Sequence, residues 1–104
     1  MIVTTTQSLQ GKDIERYIGI VSGEAIMGAN VVRDFLASVT DVIGGRSSAY
    51  ENKLAEGREI ALREMQEKAR QMGANGVIGV DLDFETLREG MMMCVATGTA
   101  VFIR

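Results

Sequence analysis

A stripe of small and apolar side chains, Tyr50, Leu54, Gly57, Ala61, Met65, Ala69 and Met72, recurs at three- and four-residue spacing and constrains the fold more than any other feature. Such spacing places all of them on one side of an α-helix. Ser48 followed three residues later by Glu51 matches a capping box, in which hydroxyl and carboxylate each satisfy an unpaired backbone N–H. The pattern therefore predicts a helix from Ala49 to Met72, about 36 Å long at ~1.5 Å per residue, ended by Gly73. The small members of the stripe let a sheet or a second helix approach closely. Toward solvent, Glu59 precedes Arg63 and Glu64 precedes Lys68 by four residues, the favourable order for ion pairs worth about 0.3 kcal/mol each.

The segments around this helix read as strands. Ile78, Val80, Leu82 and Phe84 alternate with Gly79, Asp81, Asp83 and Glu85, the pattern of a half-buried strand. Arg88-Glu89-Gly90 then makes a hairpin connection to a last strand from Met91 to Ile103. Near the start, Ile2 to Thr5 is β-prone, and Gln7 to Lys12 reads as a turn into a second strand from about Glu15 to Ile26. Gly19 and Gly23 mark a bulge or a close backbone approach within it. Between Ala29 and Ile43, Val31, Val32, Phe35, Leu36, Val39, Val42 and Ile43 share one helical side, and Asn30, Arg33, Asp34, Ala37 and Asp41 the other. This predicts a shorter amphipathic helix stopped by Gly44. The order β-β-α-α-β-β is α+β: a small antiparallel sheet packed against one long helix plus the shorter one. The 104 residues fit one domain, 1–104, without repeat or proline-rich linker.

Composition narrows the function classes. The net charge of -3 argues against nucleic acid or an anionic membrane as the main partner. No apolar run approaches the ~18 residues of a membrane span, and the start lacks the pattern of a signal peptide, so a cytoplasmic location is expected. Cys94 is the only cysteine, which leaves no disulfide within the chain. Histidine is absent, so there is no Ser-His or Cys-His nucleophile pair, and acid–base work would fall to carboxylates such as Glu24, Asp34 or Asp41. A binding or scaffold role is favoured over catalysis. With no Trp and few other aromatic residues the core is poor in large side chains, and association with copies of the same chain is the expected supplement.

Glycines and charges of both signs crowd the two ends of the shorter helix. Glu24, Asn30, Arg33, Asp34, Asp41, Gly44, Gly45, Arg46 and Ser47 form the candidate ligand-binding or interface group. Exposed N–H groups at the start of the long helix, with Arg46 and the Ser47 hydroxyl, suit a phosphate or carboxylate. The spacing is not that of a P-loop. In the structural alternative, Gly44 and Gly45 turn the chain while Arg46 pairs with Asp34, Asp41 or Glu24 across a subunit contact.

The run Gly23-Glu24-Ala25-Ile26-Met27-Gly28-Ala29-Asn30, then Arg33-Asp34, then Gly44-Gly45-Arg46-Ser47 with Tyr50-Glu51, resembles the YbjQ family of small bacterial proteins. Gly73 to Asp83 and Gly98-Thr99-Ala100 fit it too, so the resemblance spans nearly the whole chain. It implies a YbjQ-like, dodecin-like subunit assembled into a ring, most simply a homopentamer, with short extra strands helping subunits to pair. The family carries a heavy-metal-binding label and no established reaction.

That label directs attention to a divalent metal ion as the cofactor. Soft metals prefer thiolate and imidazole, and one subunit offers only Cys94, although a ring would bring five copies of it near one axis. Cys94 shares a strand face with Met92, Ala96, Gly98 and Ala100, the setting of an inert buried thiol. Asp81, Asp83 and Glu85 offer oxygens to harder ions. They stand about 6.6 Å apart along a strand, so one ion would hold two of them or recruit a neighbour's ligands, and the alternative is a solvated sheet face. Met91-Met92-Met93 supplies thioethers for Cu(I), but neighbouring residues on a strand point to opposite faces, which favours packing.

Overall fold

The computed structural model describes residues 1–28, 48–88 and 91–104, with side chains of the helix described from Glu51 onward. Its elements are β1 (Ile2–Val3), β2 (Ile14–Met27), α1 (Ser48–Gln71), β3 (Gly76–Arg88) and β4 (Met91–Ile103). The predicted shorter helix, Ala29 to Ile43, lies outside the described residues, as does the Ser48 hydroxyl. No helix among the described residues is long and apolar enough to cross a membrane.

The strands form one sheet in the order β1-β3-β4-β2. β4 pairs antiparallel with both β2 and β3, but β1 pairs parallel with β3, joining Ile2 to Gly76 and Val3 to Val77. The sheet is therefore mixed, which corrects the expectation of an antiparallel one. The reason lies in residues 4–13. Instead of folding β2 back against β1, this segment crosses the sheet and brings Leu9 against the small cluster of Ile78, Val101 and Ile103. It delivers β2 to the opposite edge.

α1 covers the other face. Gly57, Ala61, Met65 and Ala69 are buried along one side of it, with Leu54 half-buried, as the spacing predicts; Met72 is 39% exposed and falls outside the stripe. The main core joins Ala61, Met65 and Ala69 to Val21, Ala25, Cys94, Ala96 and Ala100 of the sheet. Gly23 sets how closely the layers approach, because a Cβ there would run into the Ala61 carbonyl oxygen and the Met65 backbone nitrogen. The bulge expected in β2 also forms, as a register shift between Tyr17 and Gly19. Lys68 and Glu64 pair at 3.0 Å, while the predicted Glu59–Arg63 pair is not among the ion pairs of the described residues.

Candidate functional site

Alternation along the strands sorts the candidate residues by face. The face under α1 carries Val21, Ala25 and Met27 of β2, Leu82 and Phe84 of β3, and Cys94 and Ala96 of β4. The opposite face carries Ile20, Glu24 and Ile26, then Met93, Val95 and Thr97, then Asp81, Asp83 and Glu85. Register aligns these in rows: Glu24 stands opposite Val95, and Val95 opposite Asp83. Thus the proposed metal ligands divide, with the three carboxylates on the open face and Cys94 on the covered one. Of the charged group around the shorter helix, only Glu24 is described, on an exposed position of β2. Asn30, Arg33, Asp34, Asp41, Gly44, Gly45, Arg46 and Ser47 lie outside the described residues.

The open face is acidic. A side-chain hydrogen bond with Asp81, reinforced by that carboxylate's charge, pushes the pKa of Asp83 above the ordinary range. Burial adds to this, and so does Glu85. Two carboxylates thus repel at a place where a cation or a basic group would relieve them.

The covered face is apolar and contains sulfur. Cys94 is fully buried, and burial pushes its thiol pKa up; Arg58 opposes this and Asp83 adds to it. The thiol is therefore protonated in the free protein near neutral pH. Register puts Met27 opposite Met92 and Ala25 opposite Cys94 on one face, where Cys94 packs in the main core and Met27 in a separate small cluster. Met92 and Phe84 pack directly against Met27. Above them sits Gly57, where a Cβ would lie 3.7 Å from Met27 Sδ and 3.9 Å from Cys94 Cβ. Those are ordinary contact distances, so alanine fits. Glycine inside a helix nevertheless costs about 1 kcal/mol relative to alanine.

Sequence reasoning did not pair Met27 with Met92, because the partner of Met27 across the sheet depends on register. The only advance signal was Gly57 itself, a glycine within an otherwise strong helix. No group of three or more His, Cys, Asp or Glu side chains suited to a metal ion occurs among the described residues.

Comparison with known proteins agrees with this fold. The YbjQ family model, described as "Putative heavy-metal-binding", matches residues 1–104. A UPF0145 protein of Anoxybacillus flavithermus is 75% identical over 104 residues, covering 100% of this chain and 99% of the relative. Another, from Bacillus cereus, is 61% identical over 103 residues, covering 99% and 100%. Among solved structures, a protein of unknown function in the DUF74 family from Pediococcus pentosaceus superimposes with a TM-score of 0.67. It is 15% identical, and the match covers 100% of this chain and 98% of that one, a likeness of fold alone. Because the family model spans the entire chain and two bacterial relatives match it end to end, the chain belongs to the YbjQ family.

Proposed function

We propose that the protein is a noncatalytic binding module that assembles with copies of itself into a closed ring, most simply of five subunits, and holds a metal ion at a contact between them. The observation that carries the assembly is the free edge of β2. This strand is 14 residues long and, among the described residues, pairs on one side only, with β4. Long edges with unpaired N–H and C=O groups are the usual template for strand addition from another chain, and native proteins guard them with charge or proline. Here Ile20 is 86% exposed and Ile26 59% exposed beside that edge. Burying two isoleucines at a subunit contact would stabilise it by a few kcal/mol.

The family description supplies metal as the ligand class. On the open face, Glu24, Asp81, Asp83 and Glu85 are the oxygens available to a hard divalent ion whose remaining ligands come from a neighbouring subunit. Native mass spectrometry of protein purified without an affinity tag, paired with elemental analysis, tests both parts. A discrete oligomer carrying a reproducible metal is expected. A monomer would overturn the assembly, and an oligomer free of metal after incubation with divalent ions would overturn the ligand.

A further inference from the structure

We propose that residues 4–9 plug a strand-docking site on the outer edge of β3, an autoinhibitory contact that leaves the opposite edge, β2, as the one open to a second copy of the chain. This deepens the assembly proposed above and rests on that reading for β2, whereas the plug on β3 does not.

Gly79 makes the docking site. Its φ of +60° is left-handed, and the register between β3 and β4 slips by one residue there, with Ile78 opposite Thr99 and Asp81 opposite Thr97. Glycine in this conformation is the mark of a β-bulge. Along a regular strand successive N–H groups point to opposite sides. At the bulge they do not: the Gly79 N–H donates to the Thr6 carbonyl at 2.8 Å and the Val80 N–H to the Thr4 carbonyl at 3.1 Å, both in the crossing segment. The Thr4 N–H donates in return to the Val77 carbonyl at 3.0 Å. Residues 4–6 thus carry the pairing of β1 past Val3 and occupy the edge of β3 as far as Val80.

Leu9 anchors the far end of the plug on Ile78, Val101 and Ile103. Between these two holds, the Gln7 side chain lies across Gly79, its amide atoms 3.3 and 3.4 Å from where a Cβ would stand. Lifting the segment would uncover two adjacent backbone donors and an apolar cluster, which are what an added strand needs for its carbonyls and its side chains. The hold is light. Thr5 to Ser8 are exposed and Leu9 is only half-buried, so local opening costs far less than unfolding.

The two edges of the sheet are therefore unlike. Beyond Val80 the β3 edge carries Asp81, Asp83 and Glu85, and charge on an edge opposes pairing as a cover does. β2 has no such cover among the described residues, and its Ile20 and Ile26 are exposed. A subunit with both edges open would add copies on two sides, and contacts between unlike surfaces grow into open chains unless the rotation closes them. The plug removes one of the two sides.

The test is hydrogen exchange of the full chain, read together with particle size. In the wild type the Gly79 and Val80 amides should be protected. Leu9→Ser removes the anchor, and Gly79→Ala forces a left-handed backbone on a residue with a Cβ and sets that Cβ against Gln7. Each variant should speed exchange at those two amides roughly tenfold or more, leave the amides between β4 and β2 unchanged, and shift light scattering to larger species that grow with concentration. Wild-type Gly79 and Val80 amides that exchange as fast as exposed loop residues would overturn the plug, as would amides released in both variants without any gain in size. Amides that stay protected in both variants would show that neither Leu9 nor Gly79 holds the segment, and the proposal fails. A monomeric wild type would remove the assembly at β2 and leave the plug to be judged by growth of the variants alone.

Discussion

The side-chain amide of Asn75 holds the backbone of Ile103 in both directions: the Ile103 N–H donates to Asn75 Oδ1 at 2.6 Å, and Asn75 Nδ2 donates to the Ile103 carbonyl at 2.8 Å. A side chain thereby continues the ladder between β3 and β4 one step beyond Gly76, where β3 begins. Asn75→Ala should leave two partly buried backbone groups unpaired and lower stability by about 1–3 kcal/mol. Asn75→Asp should also destabilise, since it keeps the acceptor and loses the donor. Urea unfolding of both variants checks this, and midpoints equal to the wild type would show that water replaces the amide.

Gly23 and Gly57 make opposite predictions although both lie at the contact between sheet and helix. Gly23→Ala drives a methyl group into the backbone of α1 at Ala61, which has no side-chain freedom with which to yield. A loss of about 1–3 kcal/mol is expected. Gly57→Ala meets Met27 and Cys94 only at ordinary contact distances and should gain about 0.5–1 kcal/mol through helix propensity. Thermal unfolding of the two variants side by side decides the matter, and a shift of the same sign in both would contradict the layer geometry.

Asp83 gives the open face a dependence on pH. Its folded pKa lies above the unfolded value because the hydrogen bond with Asp81 and the Asp81 charge favour its protonated form. The associated stability is present below the unfolded carboxylate range and is lost as pH rises through the folded pKa. Asp83→Asn should remove that loss. The variant's advantage in urea midpoint over the wild type should grow as pH rises through the unfolded carboxylate range and level off above the folded pKa of Asp83. A difference that stays constant across this range would mean that Asp83 titrates normally.

Ile20 separates folding from assembly. At 86% exposure it contributes little to the core, so Ile20→Lys should change subunit stability by no more than about 0.5 kcal/mol. A lysine beside the free edge of β2 opposes strand addition from another copy. Light scattering should report smaller species with an unchanged circular dichroism spectrum. Undiminished particle size would place the contact elsewhere.

Local pattern was enough to read α1, β2, β3 and β4 as elements, but the alternation read along β3 breaks at a register shift between Ile78 and Asp81, so Ile78 packs with Val101 and Ile103 while Val80, Leu82 and Phe84 pack under α1. Gly23 was legible as a close approach, because glycine inside a strand pattern marks one. β1 was legible as a β-prone start, but its parallel pairing with Gly76 and Val77 was not, since that is fixed by where residues 4–13 deliver the chain. The carboxylates of β3 were found as a stripe, but their separation from Cys94 by the thickness of the sheet follows from alternation across two strands at once. The packing of Met27 against Met92 was not legible because it depends on the two standing opposite each other across the sheet. Only the position of Ile103 gives the Asn75 amide a task, and nothing local in the sequence marks it.

The sheet order has a consequence for how the molecule comes into being. β4 is the strand to which both β2 and β3 are hydrogen-bonded, and β1 reaches the sheet only through β3. During synthesis the first strands emerge long before any of their partners exist, so β2, with its exposed isoleucines and an edge free on both sides, waits unpaired. Chains growing side by side on one messenger would hold many such strands at once. The arrival of β4 is then the committing event, and any delay before it lengthens the time in which one chain's β2 can be captured by another's.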